Sequence, residues 1–189
     1  LKKLPDEIAQ VVLPLGLMYL TSYARDVLKG EVEVSIYQSL VDLNDNDPEA
    51  IEACIRREKP DIVGIRGMTR YQTQFAQIAA LARAHSDAFI VGGGPYVSSD
   101  EHAGLMDNDI DLSVLDEGEI TFVEVIDRCR KGLPFDEVAG IAYRVDDAIV
   151  RTPKRPFMND EELNALPFPA YDLIDMERYE EMLSYGYNK

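Results

Sequence analysis

The sequence has only two cysteines and no long apolar run, and both absences exclude classes of protein. Cys54 and Cys129 are far apart and lie within helical patterns, whereas a disulfide framework or a zinc knuckle needs more or closer cysteines. The longest apolar stretch, residues 11–20, is interrupted by Pro14 and Gly16. It is too short to cross a bilayer, and no signal-peptide pattern is present. We therefore expect a cytoplasmic protein with no membrane span and with ordinary core cysteines.

Positive charge is also scarce. The chain carries 19 Lys and Arg residues against 35 Asp and Glu residues, for a formal net charge of −16. Because proteins bind nucleic-acid backbones by neutralising phosphates with Lys and Arg, we expect no nucleic-acid partner. The hydrophobic fraction of 46% is sufficient for one ordinary domain core.

Strand and helix patterns alternate from residue 14 to about 131, which predicts an α/β fold with a parallel sheet covered on both faces. The predicted strands are 32–37, 61–66, 88–91 and 110–115, and helices begin at Pro14, Pro48, Tyr71 and Ile120. Strands 32–37 and 110–115 alternate apolar and polar residues, as edge strands do. This arrangement favours the flavodoxin-like, doubly wound order 2-1-3-4-5. Its first strand is either residues 11–13 or, as we favour, a segment upstream of Leu1.

After Gly132 the pattern changes. Residues 139–145 and 148–152 flank a turn-like Asp-Asp pair and predict a β-hairpin. A proline-rich strap (residues 153–173) follows, and its run Leu166 to Leu173 is incompatible with regular helix or a central strand. The sequence therefore predicts a Rossmann-like domain (1–132), a hairpin extension (133–158) and a linker (159–189).

Glycines cluster where the predicted parallel strands end. Gly64 and Gly67 bracket the end of the third strand, Gly92-Gly-Gly-Pro95 follows the fourth, and Gly118 follows the fifth. The carboxyl ends of such strands form the ligand crevice of α/β sheets, and glycines let the backbone approach a ligand closely. Tight turns alone would explain any one cluster, but three on one rim favour a ligand. Neither a Gly-x-Gly-x-x-Gly fingerprint nor a Walker loop is present.

Five short motifs occur in a fixed order: Pro14-Leu-Gly-Leu-Met-Tyr-Leu20, Asp61-Ile-Val-Gly-Ile65 with Thr69, Gly92-Gly-Gly-Pro95, Glu117-Gly-Glu119 with Thr121, and Leu166-Pro-Phe-Pro-Ala170. Together they resemble the N-terminal half of cobalamin-dependent radical SAM proteins. This group includes methyltransferases and the anaerobic magnesium-protoporphyrin ester cyclase. The resemblance covers nearly the whole chain.

The resemblance implies that domain 1–132 binds cobalamin, with the corrin on the carboxyl rim and the nucleotide tail between the sheet and the first helix. The implied cofactor-binding residues are Leu15, Gly16, Arg66, Gly67, Met68, Thr69, Tyr71, Gly92, Gly93, Gly94, Pro95, Tyr96, Glu117, Gly118, Glu119 and Thr121. The resemblance also implies a radical SAM barrel in the same polypeptide. That barrel would hold an iron–sulfur cluster on a Cys-x-x-x-Cys-x-x-Cys loop and S-adenosylmethionine. No such cysteine triplet occurs in this chain, so we expect no catalytic residue and no metal ligand in it.

The chain lacks the Asp-x-His-x-x-Gly motif whose histidine ligates cobalt in methionine-synthase-like domains. Neither His85 nor His102 lies in such a motif, so the lower face of the corrin is expected to lack a histidine ligand. Met68, Tyr71 and Tyr96 are candidates to pack against that face, or are ordinary rim residues.

A second departure concerns Arg66. Related domains often place a serine at this position to hydrogen-bond the benzimidazole of the tail. Arginine is larger and charged, so its partner would be a phosphate or Asp61.

Two polar clusters have more than one interpretation. Asp116, Glu117 and Glu119 could act as an acid–base or metal group, but we favour a helix start in which carboxylates are stabilised by the helix dipole. The basic residues Arg151, Lys154 and Arg155 either dock onto an acidic neighbouring domain or, as we favour, form a solvated hairpin end.

The sequence thus predicts a domain that holds cobalamin and presents its cobalt to the barrel. One alternative is a domain that has lost cobalamin and serves as a scaffold or substrate platform, for which Arg66 is the best support. Another is a free-standing flavodoxin-like binding or signalling module. The strap and the linker that follows it to Lys189 argue against this alternative.

Overall fold

A computed structural model describes residues 12–39, 42, 47–100, 105, 109–146 and 148–187. The described strands are β1 (Ile62–Arg66), β2 (Phe89–Gly93), β3 (Leu112–Val114), β4 (Ile141–Val145) and β5 (Ala148–Arg151). The described helices are α1 (Leu15–Leu28), α2 (Pro48–Glu58), α3 (Gln72–His85), α4 (Pro95–Ser99), α5 (Glu119–Lys131), α6 (Asp160–Asn164) and α7 (Met176–Tyr187). Short 3-10 helices cover Thr69–Tyr71 and Tyr171–Leu173.

The five strands form one sheet in the order β1-β2-β3-β4-β5. β1, β2 and β3 are parallel, and Arg66 and Gly93 are register partners at the carboxyl ends of the first two. β4 and β5 form an antiparallel hairpin that continues the sheet beyond β3. The predicted α/β fold is therefore confirmed, with the predicted third, fourth and fifth strands as neighbours.

The predicted strand at 32–37 is wrong. Residues 32–38 form no strand, although Ile36 is buried in a cluster with Met18 of α1. In the predicted order this segment pairs with the first strand alone, and no first strand is present among the described residues. Val12 and Leu13 are irregular, and Val11 lies outside the described part. Alternation of side chains without a hydrogen-bonding partner does not make a strand.

The prediction that 110–115 is an edge strand is also wrong. β3 lies between β2 and β4, and all three of its residues are buried. Of the two polar residues that produced the alternation, Ser113 is buried within β3 and Asp111 lies just before the strand. Its carboxylate accepts a 2.8 Å hydrogen bond from the amide of Ile90 and pairs with Arg83 at 2.7 Å. A polar residue with these contacts does not require a solvent-exposed edge.

The two faces of the sheet follow from the period-two alternation of β1. Ile62 packs with the apolar side chains of α1 and α5, whereas Ile65 packs with Phe75 of α3 on the other face. Gly64 and Arg66 follow Ile62 in steps of two and therefore face α1 and α5. This assignment places the Arg66 side chain beside the amino end of α1.

The chain beyond β5 folds back onto α1. The amide of Ala170 donates to the carbonyl of Met18 at 3.2 Å, and Met18, Ile174 and Tyr179 share a buried cluster. Residues 166–170 are irregular and lead into the short 3-10 helix, as expected of the proline-rich run. The C-terminal segment (residues 159–187) is thus part of the domain's packing.

Both cysteines behave as core residues. They are free, Cys54 is buried and Cys129 is half-buried. Burial raises the pKa of both thiols above their usual value, so neither is a reactive thiolate at neutral pH. Among the described helices, none is long and apolar enough to cross a membrane.

Candidate functional site

The first two glycine turns are bonded to each other at the carboxyl rim of the sheet. The amide of Gly67 donates to the carbonyl of Gly93 at 3.0 Å, and the amide of Tyr96 donates to the carbonyl of Gly67 at 3.1 Å. These bonds extend the β1–β2 pairing by one step past Arg66. The structure therefore brings the residues at 66–71 and 92–96 together, as the sequence predicts.

Three of the rim glycines are required by packing or by the backbone. A Cβ atom at Gly67 would lie 2.7 Å from Cδ2 of Phe75, and one at Gly92 would lie 2.8 Å from Cδ1 of Ile110. Gly94 has a φ of +86°, and a Cβ there would lie 2.9 Å from the carbonyl oxygen of Gly67. A side chain at any of these positions would clash with the protein itself, so their glycines do not by themselves indicate a ligand.

Gly93 is different because a Cβ at this position would have no atom of the described residues within 4 Å. Since Arg66 is its register partner, Gly93 faces the same side of the sheet, toward α1 and α5. The space there is bounded by Gly64 below and by Gly16 in the first turn of α1, where a Cβ would lie 3.5 Å from Nε of Arg66. We call this space, lined by Gly16, Gly64, Arg66 and Gly93, the glycine groove.

Gly64 was recognised in the sequence as part of a glycine cluster but not as a binding residue. It is exposed, and a Cβ there would lie 3.6 Å from Cζ of Phe122. Glycine inside a strand often marks the close approach of a ligand or another backbone.

Arg66 lies at the edge of the glycine groove, beside the first turn of α1. Its side chain is exposed, its Nε lies beside Gly16, and its Cγ lies 3.0 Å from where a Cβ of Gly94 would be. Asp61 precedes the opposite, amino end of the same strand, which excludes it as a partner. Within the described residues, no carboxylate forms an ion pair with Arg66.

The three residues considered for the lower face of a ring have different environments. Tyr96 is only 7% exposed, and its ring packs edge-on against Phe75 at 5.2 Å, so it belongs to the core beneath the rim. Met68 is 39% exposed. Tyr71 is half-buried, with the guanidinium of Arg70 4.9 Å from its ring centroid. Met68 and Tyr71 are therefore accessible at the surface, and Tyr96 is not.

Two further predicted residues flank these turns at the surface. Thr69 begins the 3-10 turn after β1, and Pro95 is in the first turn of α4; both are exposed. Leu15, the first residue of α1, is 46% exposed. Apolar and polar residues are thus both exposed beside the rim turns.

The turn after β3 is held by the strap. Thr121 is fully buried, donates to the carbonyl of Ala139 at 3.3 Å and accepts from Nε of Arg155 at 2.8 Å. The carboxylate of Glu117 accepts a 2.7 Å hydrogen bond from the amide of Met158. Thr121 and Glu117, both predicted to bind the cofactor, therefore use these groups within the protein.

Gly118 and Glu119 complete this turn. A Cβ at Gly118 would lie 3.3 Å from Cδ2 of Leu20, which places the turn against α1. Glu119 is half-buried in the first turn of α5, where a carboxylate is favoured by the helix dipole. In the part of the chain that the structure covers, no group of three or more potential metal-ligating side chains is found.

Lys154 and Arg155 contact their own domain. Lys154 pairs with Asp116 at 3.1 Å, and Arg155 pairs with Glu124. Arg155, whose side chain is 20% exposed, departs from the predicted solvated hairpin end, whereas the Lys154 side chain, 63% exposed, agrees with it. The charge pattern of the hairpin end reflects its attachment to α5.

Of the two histidines, His85 lies away from the rim. His85 ends α3 at the amino side of the sheet, where its ring contacts Arg56 and Glu52. His102 lies outside the described residues. Cavities of about 260 and 630 Å³ also lie at the amino side, around Phe89 and Phe135.

Comparison with known sequences gives a consistent family. Residues 2–126 match the family described as B12 binding domain. The chain is 33% identical to an uncharacterized methyltransferase of Pyrococcus horikoshii over 88% of its length, which is 35% of that protein. It is 25% identical to cytidylyl-2-hydroxyethylphosphonate methyltransferase of Streptomyces wedmorensis over 95% of its length, or 40% of that protein. The chain thus spans about a third to two fifths of these relatives.

Solved structures share the fold. The radical S-adenosylmethionine methyltransferase TsrM from Kitasatospora setae, with cobalamin and a 4Fe–4S cluster bound, superposes with a TM-score of 0.68 at 18% identity, over 84% of this chain and 29% of that one. The cobalamin-dependent S-adenosylmethionine radical enzyme OxsB, with aqua-cobalamin and S-adenosylmethionine bound, superposes with a TM-score of 0.74 at 22% identity, over 89% and 23%.

Proposed function

This chain belongs to the family of B12-binding domains, and from that premise we propose that it holds cobalamin with the corrin ring on the carboxyl rim and the nucleotide tail in the glycine groove. The observation that carries the proposal is the open space above Gly93. A side chain at Gly92 or Gly94 would clash with the protein, whereas Gly93 faces room that the described residues leave open.

The residues present fit such a ligand. The exposed side chains of Leu15 and Met68 provide apolar surface beside the rim, suited to the apolar face of a macrocycle. Thr69 and Arg66 provide hydrogen-bond donors at the same surface. We propose that these four residues, with Tyr71, Pro95 and the glycines of the groove, contact the cofactor.

Tyr96 and Thr121, also predicted to bind the cofactor, are buried beneath the surface of the rim. Tyr96 supports the Gly67 turn through its amide and its ring, and Thr121 anchors the start of α5. We propose that they position the rim without contacting the ligand. Glu117, Gly118 and Glu119 would border the ring at the third turn.

Cobalamin, when bound, supplies a cobalt centre for methyl or radical transfer. This chain would bind and orient it, with no histidine ligand from the rim and no catalytic residue of its own. We propose that a radical SAM barrel in the same polypeptide, following residues 159–189, holds the iron–sulfur cluster and S-adenosylmethionine. The coverage of only 35% and 40% of the methyltransferase relatives supports a larger parent enzyme.

The proposal is tested by mixing the chain with hydroxocobalamin, desalting it and recording the visible spectrum of the protein fraction. We expect the wild type to retain about one corrinoid per chain. In the Gly93→Leu variant, the new side chain fills the groove and retention should fall at least about tenfold, since a steric block removes several favourable contacts at once. Its far-ultraviolet circular dichroism and urea midpoint should stay close to those of the wild type.

The matched control is Ala148→Leu. It adds the same side chain to an exposed strand residue on the hairpin, away from the rim, and should bind like the wild type. A wild-type chain that emerges colourless would disprove the proposal. Undiminished binding by a folded Gly93→Leu variant would disprove the placement in the groove.

A further inference from the structure

We infer that Arg66 recognises the anionic phosphodiester of the nucleotide tail, so that this domain selects corrinoids that carry the phosphate over those that lack it. The inference rests on the proposed function and adds a specificity-determining residue to it. It depends on the position of the Arg66 side chain, its lack of a carboxylate partner and the charge of the ligand.

The Arg66 side chain lies at the edge of the glycine groove. Arg66 and Gly93 are register partners whose side-chain positions share one face of the sheet. The Arg66 side chain does not cover Gly93, because nothing lies within 4 Å of a Cβ built there. It extends past Gly94 toward Gly16 instead, with Nε 3.5 Å from a Cβ built on Gly16. A cationic side chain is therefore held at the edge of an open groove, between the sheet and α1.

Arg66 is one of several described cations that have no carboxylate partner, and it lies beside the glycine groove. The chain has 35 acidic residues for 19 basic ones, and the cations that attach the strap are paired: Arg25 with Asp172 at 2.8 Å, Lys154 with Asp116 at 3.1 Å, and Arg155 with Glu124. Among the residues the structure describes, Arg66 has no such pair. The first turn of α1, which it touches, also carries no acidic side chain. The guanidinium therefore remains available to an anion from outside.

The chemistry of the ligand identifies that anion. The corrin ring carries neutral amides at its edge, whereas the nucleotide tail contains a phosphodiester. A guanidinium binds phosphate oxygens through two parallel N–H donors and keeps its charge at any physiological pH. A serine at this position would offer one neutral hydroxyl to a base. Arginine in its place therefore changes the recognised group from the base to the phosphate.

The test compares hydroxocobalamin with cobinamide, which lacks the phosphate, ribose and base, by spectroscopic titration of the full chain. For Arg66→Gln we expect the Kd for hydroxocobalamin to rise about tenfold, the loss of one charge-assisted contact at a partly exposed site. The Kd for cobinamide should change less than about twofold. Arg66→Lys should retain part of the preference, because it keeps the charge but not the paired donors.

The matched control is Arg144→Gln. It removes the same charge from the exposed end of β4, at the amino side of the sheet and away from the rim, so neither Kd should change. Added salt should weaken hydroxocobalamin binding to the wild type more than to Arg66→Gln, since screening acts on the charge pair.

The outcomes separate this inference from the proposed function. A wild type that binds neither corrinoid overturns both. If the wild type binds both corrinoids and Arg66→Gln weakens them equally, Arg66 does not read the tail and the inference alone is wrong. Tighter hydroxocobalamin binding by Arg66→Gln would show that the arginine obstructs the tail, which also overturns the inference.

Discussion

Nε of Arg155 donates a 2.8 Å hydrogen bond to the hydroxyl of Thr121, which itself donates to the carbonyl of Ala139 at 3.3 Å. The same guanidinium pairs with Glu124, one turn along α5. Thr121 is fully buried, so its hydroxyl is bonded by the protein rather than by water. The strap is thus fixed to the first turn of α5, directly beside the third glycine turn of the rim.

The first prediction follows from this contact. Arg155→Gln should lower the free energy of unfolding by about 1 kcal/mol, because it removes an ion pair and leaves a buried hydroxyl with one contact fewer. The value is kept low because the Glu124 side chain is 42% exposed and water screens the pair. Urea unfolding followed by circular dichroism measures the change. Arg144→Gln, on the exposed end of β4, is the control and should change stability by less than about 0.5 kcal/mol.

The local parts of the fold could be predicted because local signals determine them. α2 begins at Pro48, directly after Asp47, whose carboxylate accepts a hydrogen bond from the amide of Glu49. Such a cap involves neighbours in the sequence and is visible in it. The contact between Arg155 and Thr121 joins residues 34 positions apart. No local pattern encodes it, so the sequence does not predict that Thr121 anchors the strap.

The same distinction applies to the glycine turn after β2. The three consecutive glycines of this turn have three different environments. Gly92 avoids a clash with Ile110, Gly93 faces open space, and Gly94 adopts a φ of +86°. The sequence could predict a rim rich in glycine at the carboxyl ends of the strands. It could not predict which of these glycines leaves room for a ligand, because that depends on side chains distant in the sequence, such as Phe75 and Ile110 against Gly92.

The second prediction concerns the C-terminal segment. Ile174 is only 9% exposed and packs with Met18 and Tyr179, whereas Phe168 is 92% exposed. Ile174→Ala should therefore lower the free energy of unfolding by about 2–4 kcal/mol, and Phe168→Ala should change it by less than about 0.5 kcal/mol. Equilibrium urea unfolding of the two variants provides the comparison. Equal stability of Ile174→Ala and wild type would mean that this segment does not pack on α1 in solution.

The third prediction concerns pH and the attachment of the same segment to α1. Nη1 of Arg25 donates to a carboxylate oxygen of Asp172 at 2.8 Å, and this hydrogen bond lowers the pKa of Asp172 below its ordinary value of 3.8. Since the folded-state pKa lies below the unfolded one, the pair stabilises the folded state fully above the unfolded pKa. The contribution is lost as the pH falls through the folded-state pKa.

The stability difference between wild type and Asp172→Asn should therefore be constant from about pH 5 to 8. It should shrink below about pH 4, near the ordinary pKa of aspartate. Both side chains are exposed, at 45% and 60%, so added salt should reduce the difference as well. Carbon-detected NMR of the Asp172 carboxyl group measures the pKa directly. In Arg25→Gln that pKa should return toward 3.8. If it does not move, the ion pair is absent in solution, and the packing of Ile174 alone holds the segment on α1.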